Sequence, residues 1–330
     1  MDLRLVFLGT AGAVPTIDRG PSGIMVIRGG ERFLIDCGEG TQRQLMRSVG
    51  LGRLDRVFLT HMHGDHYLGL PGLLKTLSLM GREDPLQIFG PPGTIELFQV
   101  SQRIFGRFSF SLETVEVVPG DEYRRDGYVM RAFQTRHGLP SVGWALEEPP
   151  RPGRFHPERA MELGVTPGPD FGLLQSGRDV VVSGGRIVRP EDVMDEPRPG
   201  RKVVVTGDTR PTKTVIEVAR EAQVLVHDST FTQDEMERAR ETRHSTAREA
   251  AEVAKEAKAG LLVLTHVSSR HSRGSLLGEA RAVFPRAVLP DDLDHVVVPY
   301  PDKDRPRLVP GREALTPQSA SAILCSHTPE

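Results

Sequence analysis

The stretch HMHGDH at residues 61 to 66 places three histidines and an aspartate within six positions. Such a run is poor core material, because each imidazole and the carboxylate needs a partner once buried. Clustered imidazole and carboxylate are instead the donors of a metal site. The run follows an apolar segment, RVFLTH (56 to 61). In extended chain alternate side chains share a face, so His61, His63 and Asp65 converge. Gly64 permits a tight backbone path, and His66 faces the same small volume from the other side as a helix begins. With no thiolate set present, zinc, manganese or iron suit these donors. Donors this close together serve two metals better than one. The missing ligands should come from other strand ends, and the candidates are His137 in QTRHG, Asp208 in TGDTR and His266 in LTHVS.

The elements that must carry these residues are short and apolar. LRLVFLG (3 to 9), GIMVIRG (23 to 29), RFLIDCG (32 to 38), RVFLTH (56 to 61), LQIFGP (86 to 91), VEVVPG (115 to 120) and YVMRAFQT (128 to 135) read as strands from their length, branched content and Gly or Pro borders. Helices are predicted near Thr41 to Ser48 and Leu68 to Leu79, the latter with Pro71 in its first turn, where a missing N–H costs little. The second half repeats the theme with KVVVTGD (202 to 208), AQVLVHD (222 to 228), GLLVLTH (260 to 266) and HVVVP (295 to 299). Helical segments at 212 to 222, 245 to 259 and 273 to 284 alternate with these strands. Strand and helix alternation predicts an α/β protein, and two halves of similar content predict two facing sheets with helices outside.

Residues 147 to 200 break this rhythm with a Pro- and Gly-rich stretch and read as an inserted arm. From Pro299 the chain is Pro-rich and lacks periodicity, which predicts a mobile tail over 299–330. The expected organisation is a domain over 1–298, interrupted by the arm.

At 330 residues the chain can bury a large core. A net charge of -2 excludes a globally basic nucleic-acid binder, so an anionic substrate must be held locally. Cys37 and Cys325 are the only cysteines, which argues against a disulfide framework and for a reducing, cytoplasmic location. The N-terminus lacks the pattern of a signal peptide. No run of about 18 apolar residues is present, so no membrane span is expected.

THMHGDH matches the HxHxDH signature of the metallo-β-lactamase superfamily, and four further stretches narrow the resemblance. These are FLGTAGAVP (7 to 15) with LIDCGEGTQ (34 to 42), TGDTRP (206 to 211), RHSTA (243 to 247) and TPGPDFGLLQSG (166 to 177). In their order and context the chain resembles the ribonuclease Z family of tRNA 3′-processing endonucleases, from about Leu3 to about Val298. The resemblance implies an αβ/βα four-layer sandwich of two facing mixed sheets with outer helices, plus an arm. It implies that His61, His63 and His137 hold one metal, that Asp65, His66 and His266 hold the other, and that Asp208 bridges them. Two zinc ions per chain are then expected, with manganese able to substitute. Two metals about 3.5 to 4 Å apart activate water and neutralise charge on a phosphodiester during in-line displacement. The implied activity is hydrolytic removal of the 3′ trailer from precursor tRNA, leaving a 3′-hydroxyl on the tRNA and a 5′-phosphate on the trailer. Another superfamily hydrolase, acting on a small phosphodiester or ester, would need the same metals but no arm.

Within this frame Asp65 both ligates and accepts a proton from the attacking water. His244 is the candidate acid for the departing 3′ oxygen. The residues Thr246 to Glu249 form a T-x-x-E capping box, so a helix begins at Ser245 or Thr246 with His244 just outside it, where phosphate is attracted. Asp228, in LVHDST where the family more usually has a glutamate, is expected to orient His244 and favour its protonated form. Arg270 matches a position suited to a substrate phosphate. In the arm, Gly168, Pro169 and Gly172 let exposed backbone amides approach a sugar-phosphate chain, while Arg151, Arg154 and Arg159 supply charge. The family's arm clamps the tRNA elbow and can serve a neighbouring subunit, so a homodimer is expected.

Overall fold

Strands form along this chain where short, branched, apolar segments end in Gly, Pro or Asp. The computed structural model describes residues 1–314. In chain order its strands are β1 (Leu3–Gly9), β2 (Gly23–Arg28), β3 (Glu31–Ile35), β4 (Arg56–Phe58), β5 (Leu86–Gly90), β6 (Leu112–Glu116), β7 (Glu122–Arg125), β8 (Tyr128–Gln134) and β9 (Val142–Glu147). They continue with β10 (Val180–Val181), β11 (Ile187–Val188), β12 (Lys202–Val205), β13 (Val224–Asp228), β14 (Leu262–Thr265), β15 (Ala287–Val288), β16 (His295–Val297) and β17 (Arg307–Val309). One mixed sheet runs β17-β16-β1-β2-β3-β4-β5-β6 and a second runs β15-β14-β13-β12-β9-β8-β7.

Side-chain alternation decides how the sheets stack. On β1, Leu5 and Phe7 face a core shared with Met130, Trp144, Val203 and Val205 of the second sheet. Val6 and Leu8 face the other way, onto Leu70, Leu74 and Leu77 of the helix Gly69–Leu79. Across the sandwich, Val204 points outward against Val215, Ala250 and Ala254 of two further helices. The result is the four-layer αβ/βα sandwich. Trp144 ties the sheets together just below HMHGDH: its ring packs edge-on to Phe58 at 4.9 Å and its indole N–H donates to Leu59 O at 3.0 Å. Truncating so large a buried ring would cost about 3–5 kcal/mol.

The two sheets do not follow the two halves of the sequence. HVVVP, read with the second half, supplies β16, which pairs with β1 in the first sheet. In return β7, β8 and β9 join the second sheet through β12. Helices Thr94–Phe105 and Met236–Thr242 and strands β7 and β9 were not anticipated. The VEVVPG strand lies earlier than expected, at Leu112–Glu116.

The 147 to 200 stretch leaves the second sheet between two neighbouring strands, since Glu147 pairs with Lys202. It folds around its own small cluster of Ala160, Val165, Leu174, Val180, Val188 and Val193. The expectation of a mobile tail from Pro299 needs correction over its first part. The chain turns at Tyr300 and returns as β17, hydrogen-bonded to β16; a three-residue strand is too short to register as periodicity. The rest of that tail, with Cys325, lies outside the described residues.

Candidate metal centre

The predicted donors all follow strand ends, on segments from both sheets that meet at one edge of the sandwich, with Asp65 and His66 in the short helix Gly64–Tyr67. His61 to His66 follow β4, His137 follows β8, Asp208 follows β12 and His266 follows β14. Open α/β sheets bind ligands at such carboxyl ends. The approach is close enough to require Gly207, whose φ is 61° and whose added Cβ would lie 2.7 Å from Thr60 Cβ. His266 itself takes a left-handed φ of 60°, uncommon for a residue that carries a Cβ.

Two groups of donor atoms converge on a shared carboxylate. In the first, His63 Nδ1 lies 3.0 Å from His61 Nε2 and 3.1 Å from His137 Nε2, and Asp208 Oδ2 lies 3.5 and 3.9 Å from those two Nε2 atoms. In the second, Asp65 Oδ2 is 3.4 Å from His66 Nε2 and 3.2 Å from His266 Nε2, with Asp208 Oδ2 at 3.4 and 3.2 Å from the same atoms. Zinc–nitrogen distances of about 2.0–2.1 Å put the corners of a tetrahedron about 3.3–3.4 Å apart, so both groups have the size of a metal site.

Hydrogen bonding behind the donors decides which nitrogen is bare. Thr60 Oγ1 donates to Asp36 Oδ2 at 2.8 Å, so its contact with His61 Nδ1 at 3.0 Å must run from the ring N–H. His66 Nδ1–H donates to the same Asp36 oxygen at 2.7 Å, and His137 Nδ1–H donates to Arg243 O at 3.1 Å. Thr230 Oγ1 donates to Asp228 at 2.7 Å and so accepts from His266 Nδ1–H at 2.9 Å. Each of these four rings thereby turns an Nε2 lone pair toward the centre, the arrangement that orients metal-binding imidazoles. His66 Nε2 and Asp208 Oδ1 are buried without any hydrogen-bond partner. Burial opposes a charge on His66, yet Asp208 and Asp36 hold its pKa well above the ordinary value. For Asp208, burial is outweighed by His266, His66 and His61, which hold its carboxyl well below the usual range. Bare lone pairs, an orphaned carboxylate oxygen and a field that calls for positive charge fit divalent cations.

His244 and Asp228 lie beside this centre. Asp228 is also near Asp208 and His266, but its oxygens are already engaged. Oδ1 accepts from Thr230 N–H and Oγ1–H, and Oδ2 accepts from Thr209 N–H at 3.0 Å and from His244 Nδ1–H at 2.9 Å. The aspartate therefore reaches His244 despite being one methylene shorter than glutamate. Burial disfavours a charged His244, but Asp228 and, farther off, Asp208 raise its pKa to about 9. The capping box is present: Thr246 and Glu249 cap each other and start the helix Ala247–Glu256. Every residue of the RHST stretch is used. Arg243, at φ 60°, turns its carbonyl to His137, Ser245 Oγ–H donates to Thr209 O at 2.5 Å, and Arg210 ties Glu249 to His244 O.

Arg270 is half exposed and donates to Glu235 at 2.8 Å, so it is not brought into the donor cluster. Gly168, Pro169 and Gly172 belong to the arm; Pro169 opens the short helix Pro169–Gln175, and a Cβ added at Gly168 or Gly172 would meet nothing within 4 Å. Arg154 and Arg159 are exposed, whereas Arg151 is turned inward onto Tyr300 and Asp302 and offers no free charge. A cavity of about 420 Å³ opens beside His137, lined by Pro91, Val117, Leu139 and Pro140. Sequence reasoning passed over Asp36, Thr60, Thr230 and Arg243. Asp36 had a signal, since it ends a strand-like run inside LIDCGEGTQ.

Among the described residues no helix is long and apolar enough to cross a membrane. A profile of the metallo-beta-lactamase superfamily matches residues 17–266. Ribonuclease Z of Methanosarcina acetivorans is 48% identical over 302 residues, covering 90% of this chain and 99% of that protein. Ribonuclease Z of Haloferax volcanii is 51% identical over 310 residues, covering 92% and 98%. Among solved structures, the short form of human tRNase Z matches with a TM-score of 0.65 and 28% identity over 90% of this chain and 99% of that one. The metallo-beta-lactamase fold protein YhfI from Bacillus subtilis matches with a TM-score of 0.67 at 20% identity, covering 90% and 100%, which speaks for the fold. With about half of all positions shared along nine-tenths of its length, the chain belongs to the ribonuclease Z family of the metallo-β-lactamase superfamily.

Proposed function

We propose that this chain is a metal-dependent endoribonuclease that removes the 3′ trailer from precursor tRNA by hydrolysis, leaving a tRNA 3′-hydroxyl and a trailer 5′-phosphate. The observation that carries this reading is the pair of donor groups sharing Asp208, with the Asp228–His244 pair beside them, in a chain about half identical to ribonuclease Z proteins. His61, His63 and His137 are assigned to one zinc ion, Asp65, His66 and His266 to a second, and Asp208 to both; manganese would suit the same donors. When bound, such ions activate water and neutralise charge on the phosphodiester.

The chain's own groups do the remaining work. Asp65 accepts the proton of the attacking water; its Oδ2, the oxygen that faces the donor group, also accepts from Ala13 N–H at 3.0 Å, which holds the carboxylate in place. His244, protonated because Asp228 faces it, donates to the departing 3′ oxygen. The cavity beside His137 has room for a nucleotide flanking the scissile bond. Arg270 would contact a phosphate by leaving Glu235. Residues 147 to 200 act as the RNA-binding arm, with Gly168, Pro169 and Gly172 presenting backbone to the sugar-phosphate chain and Arg154 and Arg159 adding charge. The active species is a homodimer in the cytoplasm. The deciding experiment is cleavage of a precursor tRNA with end-group analysis, beside hydrolysis of a small phosphodiester, each with and without chelator. Chelator-sensitive release of a trailer with a 5′-phosphate is expected. Turnover of the small diester with the precursor left intact would overturn the reading.

A further inference from the structure

The arm leaves the second sheet through a two-stranded stem. Glu148 N–H donates to Arg201 O at 2.9 Å, and Arg151 and Arg198 exchange both backbone hydrogen bonds at 2.8 and 2.9 Å. At its root Arg201, 1% exposed, donates from Nε and Nη2 to the Glu148 carboxylate, each at 2.7 Å. Glu148 also accepts from Arg28 of β2 at 2.7 Å. A lone two-stranded ribbon twists and bends easily, so something beyond the stem must fix the arm's inclination.

The C-terminal hairpin meets the stem at that point. After β16 the chain runs Pro299-Tyr300-Pro301-Asp302 and turns, with Lys303 N–H donating to Tyr300 O at 2.9 Å. The guanidinium carbons of Arg151 and Arg201 lie 3.5 and 4.1 Å from the Tyr300 ring centroid. Asp302 pairs through Oδ1 with Arg151 and through Oδ2 with Arg198 at 3.3 Å, and so joins the two strands of the stem. Prolines on both sides of Tyr300 fix the backbone and remove the N–H groups through which the segment could slip into a ladder. A hairpin of the first sheet thus holds the stem of an arm rooted in the second.

We propose that Tyr300 and Asp302 are positioning residues that latch the arm at a set inclination and thereby determine how tightly the precursor tRNA is held. This rests on the arm being the RNA-binding element. Without the latch, the arm's freedom would have to be lost on binding, which weakens affinity without touching the chemistry.

The test measures kcat and KM of the metal-loaded protein on precursor tRNA and on bis(p-nitrophenyl) phosphate. Tyr300→Ala should raise KM for the precursor about fivefold or more, the lower end of coupling between separated sites, with kcat and the small-diester kinetics unchanged. Tyr300→Phe should behave as the parent, because the ring face and not the hydroxyl meets the cations. Asp302→Asn, at the surface and tolerable for folding, should raise KM in the same direction. Parent-like KM in both Tyr300→Ala and Asp302→Asn would overturn the latch, as would equal losses on both substrates. Comparison with a protein lacking residues 150 to 196 separates the two ideas. If that deletion raises KM and the latch variants do not, only the latch fails; if the deletion leaves precursor cleavage intact, the arm reading fails and the latch with it.

Discussion

Replacing Asp228 with asparagine removes the charge facing His244 at 2.9 Å while keeping the side chain's shape. The pKa of His244 stands at about 9, because Asp228 and Asp208 outweigh burial. Against an ordinary imidazole value near 6.5, the rise is worth about 3 kcal/mol. With a raised pKa the donating form is present below it and lost as pH rises through it. If Asp228→Asn returns His244 from about 9 to about 6.5, the loss vanishes below both limbs, grows about tenfold per pH unit between them and levels off at about 300-fold above both. Bound cations lower both limbs by repulsion, but their separation is set by Asp228. The amide nitrogen introduced by the substitution also faces Thr209 N–H and His244 Nδ1–H, two donors, so stability should fall by about 1–3 kcal/mol. The assay is single-turnover cleavage of precursor tRNA from about pH 5.5 to about pH 9.5, with metal content checked at each point. The basic limb should move down by about two and a half pH units. A limb that stays in place, or a loss equal at every pH, would refute His244 as an acid held protonated by Asp228.

Asp208→Ala should abolish nearly all activity and drop metal content, and metal analysis finding one ion or fewer in fully active parent enzyme would refute the two-metal assignment. Asp36→Asn, which weakens the partner of His66 Nδ1 and Thr60, should lower metal affinity about 10–100-fold by titration, with less effect on kcat at saturating metal. His244→Ala should lose about 10²–10⁴-fold in turnover, and a substrate with a 3′-bridging sulfur, whose thiolate leaves unprotonated, should recover much of it. Deleting residues 150 to 196 should cripple precursor processing while a small chromogenic phosphodiester is still hydrolysed by the metal-loaded protein; equal losses would deny the arm a separate role.

Local signals carried much of this structure and failed where pairing is non-local. The strand-like runs end on His61, Asp208, Asp228 and His266 because branched apolar residues stop where polar donors begin, and that boundary is visible in the sequence. The partner of HVVVP was not visible, since any buried branched strand suits either sheet. The β7 strand, EYRR, escaped notice because it is an edge strand whose charges suppress the apolar pattern. The helix TIELFQVSQRIF mixes β-branched and aromatic residues that weaken a helical reading. Asp36 looks like any turn-forming aspartate after a strand, and only the fold shows it shared by Thr60 and His66. Arg151 reads as free charge until Tyr300 and Asp302 are seen beside it.

The donors are divided between the sheets: His61, His63, Asp65 and His66 hang from the first, His137, Asp208 and His266 from the second. A cation held among them is a cross-link between the two halves of the sandwich at that edge. Ion binding is therefore linked to closure of the fold. At a free concentration a thousandfold above Kd, one ion stabilises the closed form by about 4 kcal/mol. The linkage also orders events in time. A chain growing from its N-terminus displays His61 to His66 long before residue 266 exists, so the centre takes its final form only after the second sheet has docked, and a loaded centre reports a finished fold.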